Sequence, residues 1–192
     1  IAYDDAAKGK QPGVLVFHEW WGLDDYARKR AEQLAGHGFV AFCADMYGEG
    51  KVVEHPKDAG KMAQAVRMNA KVWLSRAEAA LKKLQTHEGV DTDKIAAIGY
   101  CFGGSTALTL AYSGAPIKAV TTFHAALPTP TADQAKAIKA RILVCHGADD
   151  FFSRNTLPDF DCVRADGRGR ERRRLHPFAF GPAADDNWSD RD

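Results

Sequence analysis

The stretch Ile95-Ala96-Ala97-Ile98-Gly99-Tyr100-Cys101-Phe102-Gly103-Gly104 constrains the fold more than any other part of the chain. An apolar run ends in Gly-x-Cys-x-Gly and passes directly into a helix-forming segment, so it reads as strand, tight turn, helix. The residue at the apex of such a turn sits in strained backbone that tolerates no bulky neighbours, and Gly99, Gly103 and Gly104 meet that need. Cys101 is the apex residue. It is expected at the N-terminus of a helix, where backbone N–H groups and the helix dipole favour a thiolate or an oxyanion. Taken alone, the motif suits a buried cysteine beside a glycine-rich turn equally well.

Around this stretch the chain alternates strand-like and helix-like blocks. Val14-Leu15-Val16-Phe17 follows a Pro-Gly turn and is continuously apolar, the pattern of a strand buried on both faces. Asp24 and Asp25 suit the cap of a helix with Ala27, Ala31, Leu34 and Ala35 on one face, ended by Gly36 and Gly38. A second strand is expected at Phe39 to Ala44. An irregular stretch then runs to Pro56, and Asp58 to Gln85 has helical spacing, as one long helix or two end to end. Further strands are expected at Ile95 to Ile98, Ala119 to Phe123 and Ile142 to Cys145, with a helix from Ser105 to Tyr112. Strands joined by helical crossovers give an α/β fold, a mostly parallel central sheet with helices on both faces. With 192 residues, 45% of them hydrophobic, a single domain over 1–192 is expected.

Ligands of such sheets bind beyond the carboxyl ends of the strands. His18-Glu19-Trp20-Trp21-Gly22 follows the first strand, Asp45 the second, Cys101 the third, His124 the fourth and His146-Gly147-Ala148-Asp149-Asp150 the fifth. A thiol nucleophile needs a base and a group that orients the base, and in these sheets the chain order is nucleophile, acid, histidine. Gly-x-x-Asp spacing selects Asp150 as the acid, with Asp149 the competitor, and His176 is the histidine that follows it.

The four motifs Gly99-Tyr100-Cys101-Phe102-Gly103-Gly104, His18-Glu19-Trp20-Trp21-Gly22-Leu23, Asp45-Met46-Tyr47 and His146-Gly147-Ala148-Asp149-Asp150 together resemble the dienelactone hydrolase family, a cysteine branch of the α/β-hydrolase fold. The resemblance runs from about Val14 to Asp150. It implies Cys101 as nucleophile, Asp150 and His176 as its partners, and Glu19 as a carboxylate that meets the resting thiol and is displaced when substrate arrives. A tetrahedral intermediate at Cys101 needs two donors, expected from the backbone N–H groups of Phe102 and Trp20. Trp20, Trp21, Phe102 and Tyr47 are expected to line an apolar pocket, with core packing the plainer role for Trp21 and Tyr47.

Function is thus expected to be hydrolysis of a small ester or lactone through a thioester acyl-enzyme, with no metal and no cofactor. Two other classes fit parts of the pattern: a cysteine amidotransferase or redox sensor of the glutaminase-like fold, and a hydrolase-like module that binds without catalysis. A net charge of +1 gives no field that argues for nucleic acid or an anionic membrane, and the apolar runs are strand-sized. A small-molecule substrate and a monomer or small homo-oligomer follow as expectations. Cys43, Cys101, Cys145 and Cys162 lack paired spacing, which suggests a reducing, cytoplasmic setting. The chain starts at Ile1 inside ordinary domain sequence, so a missing N-terminal piece is expected.

Two features depart from the family pattern. Residues 153–174 show neither helical nor alternating periodicity. All 13 lysines lie at or before Lys139 while 8 of 13 arginines follow Asp150, a break that reads as a frame-shifted segment. Family members hold a substrate carboxylate with an arginine two residues beyond His-x-Phe, where this chain has Phe180. That argues against dienelactone itself and leaves an apolar or differently charged ester, lactone or thioester. Arg67 is a candidate cation for such a substrate, and a surface position is its plainer reading.

Overall fold

The structure, a computed structural model, describes residues 1–147 and two strands at 162–165 and 170–173. From Gly13 onward β1 (Gln11–Phe17) is buried on both faces. Leu15 and Phe17 enter the larger apolar cluster, Val14 and Val16 the smaller. The Asp24 side chain caps α1 (Asp25–Gly36) by accepting the Ala27 N–H at 3.1 Å, and Ala27, Ala31 and Ala35 form its buried stripe. After β2 (Val40–Ala44), the long helical segment proves to be two helices, α2 (Pro56–Arg67) and α3 (Ala70–Gln85). Asn69 divides them, because its side chain accepts the Val72 N–H at 3.1 Å and starts a new helix.

The chain continues through β3 (Val90–Tyr100), α4 (Phe102–Tyr112), β4 (Ala119–Phe123), α5 (Ala132–Ala137) and β5 (Arg141–Cys145). One turn and a half long, α5 is not anticipated from periodicity. A capping box starts it: Thr131 Oγ1 accepts the Gln134 N–H, and the Gln134 side chain accepts the Thr131 N–H. The absence of pattern expected over 153–174 is corrected by β6 (Cys162–Ala165) and β7 (Arg170–Arg173), which extend the sheet antiparallel to β5. Their pairing runs through backbone groups at a sheet edge, where charged sequences such as Arg-Glu-Arg-Arg are common, so no apolar alternation announces them.

The sheet order is β2-β1-β3-β4-β5-β6-β7, with the first five strands parallel. Helix α1 packs on β1 and β2 at one face, while α3 and α4 cover the other. Because β1 has β2 on one side and β3 on the other, the order reverses between β1 and β3. A crevice at the carboxyl ends of those two strands is the expected ligand position. Among the described residues no helix is long and apolar enough to cross a membrane.

Candidate active site

Tyr100 ends β3 and Phe102 begins α4, so Cys101 alone makes the turn. Its φ of 51° and ψ of −112° are costly for an L-residue, on the order of 1–3 kcal/mol, and persist only when the surroundings impose them. Those surroundings are close contacts made possible by glycine. A Cβ on Gly99 would stand 2.1 Å from the Gly103 carbonyl oxygen, one on Gly103 2.2 Å from that of Phe17, and one on Gly104 2.6 Å from Ala125 Cβ. The elbow is therefore pressed against the end of β1. The Cys101 N–H donates to the Phe123 carbonyl at 2.8 Å, and the Cys101 carbonyl accepts from Gly104 and Ser105, starting α4. The half-buried Cys101 thus sits at the N-terminus of an 11-residue helix. Cys43 is a poor rival nucleophile, since burial pushes its thiol up to about 11 and its Sγ–H donates to the Ala27 carbonyl.

The loop after β1 is held from below. His18 is completely buried, and burial lowers its pKa, so the ring is neutral. Its Nε2 accepts the Met46 N–H at 3.1 Å, which leaves the proton on Nδ1 to donate to the Glu19 carbonyl. One ring therefore ties the β1 loop to the β2 loop. Tyr47 adds a second tie, with its hydroxyl donating to the Trp20 carbonyl at 2.7 Å. The β2 loop is itself organised by Asp45, whose carboxylate accepts the N–H groups of Tyr47, Gly48 and Gly50. Burial works to raise the Asp45 pKa, but those three hydrogen bonds bring it below the ordinary range.

Glu19 is half-buried beside this frame. Burial raises its carboxyl, Asp24 raises it further, and His124 together with a hydrogen bond from the Trp21 side chain oppose them; the net direction is up. Trp21 is half-buried and meets Trp20 edge to face at 5.2 Å. Phe102, by contrast, is fully buried, with Trp73 stacked at 5.8 Å and 11° and Tyr47 at 5.6 Å. Its ring belongs to the core, so what Phe102 presents to the crevice is backbone. Tyr47 is 6% exposed and serves as a strut under Trp20. The Arg67 guanidinium carbon lies 5.4 Å from the Phe102 ring centroid, close to the elbow.

Asp149, Asp150, His176 and Phe180 lie outside the described residues. His124 was visible in the sequence only as one of several polar strand ends; its φ of 54° and its influence on Glu19 come from the structure. Among the described residues, no group of three or more His, Cys, Asp or Glu side chains is arranged to hold a metal ion.

A model of the dienelactone hydrolase family matches residues 1–162. The chain belongs to the dienelactone hydrolase family. Among its relatives, the usf protein of Aquifex pyrophilus is 30% identical over 151 residues, 75% of this chain and 64% of that protein. A carboxymethylenebutenolidase of Pseudomonas putida is 26% identical over 121 residues, 59% of this chain and 50% of that enzyme. A solved structure of a dienelactone hydrolase-like promiscuous phosphotriesterase from metagenomic libraries is 44% identical with a TM-score of 0.75, covering 78% of this chain and 62% of that one. This member of the family thus spans about half to two thirds of the length of these relatives, and it shares their α/β-hydrolase fold.

Proposed function

We propose that this chain is a hydrolase of small esters or lactones that works through a thioester at Cys101. The observation that carries the proposal is the backbone of Cys101, held at φ 51° against the end of β1 and at the start of α4, with Glu19 in the adjacent loop. The thiol of Cys101 loses its proton to His176, which Asp150 orients, and the sulfur attacks the carbonyl carbon. As the tetrahedral intermediate collapses, a C–S bond has formed, the C–O bond to the alcohol breaks, and His176 returns the proton to the leaving oxygen. Water, deprotonated by His176, then attacks the thioester, the C–S bond breaks, and acid and thiol are released.

The N–H groups of Phe102 and Trp20 are the proposed oxyanion donors, each worth about 3 kcal/mol to the transition state. Support comes from the ties at Tyr47 and His18, which fix the Trp20 loop before substrate arrives. Glu19 is the carboxylate that meets the resting thiol, and Trp21, bonded to it, forms the near wall of the pocket. Arg67 beside Phe102 favours substrates with an acidic group. The chemistry needs no cofactor.

Rates with p-nitrophenyl acetate, p-nitrophenyl butyrate and a five-membered enol lactone test the proposal in the native chain and in Cys101→Ala, His176→Ala and Asp150→Asn. Loss of more than about 1,000-fold at Cys101 and His176 is expected; retention of the rate in Cys101→Ala removes the mechanism. Because a 44% identical relative is named a phosphotriesterase, a phosphotriester with a p-nitrophenol leaving group belongs in the same panel. Preference for it over every carboxylic ester would replace the carbonyl substrate with phosphorus and leave Cys101 as nucleophile.

A further inference from the structure

His18 directly follows β1, is completely buried, and touches both halves of the proposed oxyanion site. Its backbone carbonyl presses on the elbow, since a Cβ on Gly103 would stand 2.5 Å from that oxygen. Its ring stacks on the ring of Phe102, with centroids 6.0 Å and planes 26° apart, and Phe102 carries the first proposed donor. Tyr47 meets the same imidazole edge to face at 5.0 Å. The two ring nitrogens go to different partners. Nε2 accepts the Met46 N–H at 3.1 Å, which places the proton on Nδ1, and Nδ1–H donates to the Glu19 carbonyl. That carbonyl belongs to the same planar peptide as the N–H of Trp20, the second proposed donor.

We propose that His18 is a positioning residue for the reaction, whose Nδ1–H aims the Trp20 N–H at the oxyanion and strengthens it as a donor. The inference rests on the function proposed above and assigns the residue that organises its oxyanion site. In a trans peptide the carbonyl and the N–H point in opposite directions, so a bond that fixes the Glu19 oxygen also fixes the Trp20 N–H on the other edge of the plane. The donor is then in place before charge develops, which is what makes such groups effective. Donation into the carbonyl also polarises the peptide, and hydrogen bonds linked in a chain strengthen one another by roughly 10–30% per bond. Packing alone does not call for this side chain. The position against the Phe102 and Tyr47 rings suits an apolar residue, and burying an imidazole is unfavourable unless its nitrogens are bonded. The bond to Met46 joins the two loops; the bond to Glu19 holds the peptide of the proposed donor.

The test separates the two nitrogens in the full chain. His18→Gln places an amide oxygen near the Nε2 position and keeps the tie to Met46, whereas His18→Asn places an amide N–H near the Nδ1 position and keeps the donor to Glu19. Values of kcat and KM for p-nitrophenyl acetate are measured beside Tm. Gln is expected to lower kcat about tenfold with KM within about twofold of native, while Asn has the lower Tm of the two yet restores kcat to within about threefold of native. The order of kcat thus opposes the order of Tm, which a loss of folding stability alone does not produce. A kcat that follows Tm, or a change confined to KM, overturns the inference. Nitrogen shifts of the native chain labelled with ¹⁵N-histidine give a reading that needs no variant. The His18 ring, assigned through its backbone, should carry its proton on Nδ1 with Nε2 bare at the assay pH, and the opposite tautomer overturns the inference. A native chain with the expected tautomer that hydrolyses no ester overturns the proposed function instead.

Discussion

The hydroxyl of Tyr47 donates a 2.7 Å hydrogen bond to the carbonyl of Trp20, across 27 residues of sequence. Burial raises the Tyr47 pKa, so the phenol remains a donor throughout the working pH range. Trp20 is thereby held at its carbonyl, while the peptide that carries its N–H, the proposed second oxyanion donor, is held by His18 through the Glu19 carbonyl. Tyr47→Phe keeps the ring and removes the tie. It should cost about 1–2 kcal/mol of stability, since a partly buried carbonyl loses its partner. If the tie serves the oxyanion site, kcat for p-nitrophenyl acetate falls about tenfold with KM little changed. A lowered Tm with unchanged kcat would separate the bond from catalysis.

His18 predicts a pH dependence of stability. The folded ring has its pKa lowered, chiefly by burial, while in the unfolded chain it titrates near about 6.5. Below that pH the unfolded chain binds a proton that the folded one refuses, so this contribution is fully present above about pH 6.5 and is lost as pH falls from there toward the folded pKa. Urea midpoints at pH 7.5 and pH 5 should differ more in the native chain than in His18→Gln, which cannot titrate. Equal differences would contradict the buried neutral histidine.

Gly103→Ala asks the elbow for space that is absent, because the new Cβ would meet the Phe17 and His18 carbonyl oxygens at 2.2 and 2.5 Å. The β1 loop and the elbow must move apart. A loss of more than about 2 kcal/mol is expected, with esterase activity falling further than stability explains. Thermal unfolding beside initial rates checks it.

Cys101→Gly relieves the strained φ of 51° while removing the thiol. The variant should unfold at a higher temperature than Cys101→Ala, by an amount equal to about 1 kcal/mol, and both should be inactive. Equal melting temperatures would mean that the turn stores no strain.

The sequence and the structure agree most where the chemistry is local. Gly99, Gly103 and Gly104 around one cysteine announce an elbow because only glycine fits such contacts, and the apolar runs at β1 and β2 announce strands because helices cover both faces of the sheet there. What escapes is set by register and not by residue type. Nothing in His18-Glu19-Trp20 says that a buried neutral ring will join two loops, and nothing in Thr122-Phe123-His124 says that a histidine will take a glycine conformation just beyond β4. Tyr47 was expected to line a pocket or to pack in the core; its hydroxyl shows why it is buried, since the partner lies on another strand end. The pairing of β6 and β7 with β5 was hidden for another reason. Edge strands satisfy backbone groups without needing an apolar face, so Arg170–Arg173 carries no alternation to read.

The central claim is that Cys101 forms a thioester. Intact mass of the chain quenched in acid within milliseconds of mixing with p-nitrophenyl butyrate tests it most directly, with peptide mapping to locate the adduct. The account predicts a butyryl group on the peptide carrying Cys101, lost on a longer delay and absent from Cys101→Ala. Butyryl on any other residue, or turnover by Cys101→Ala at the native rate, would contradict it.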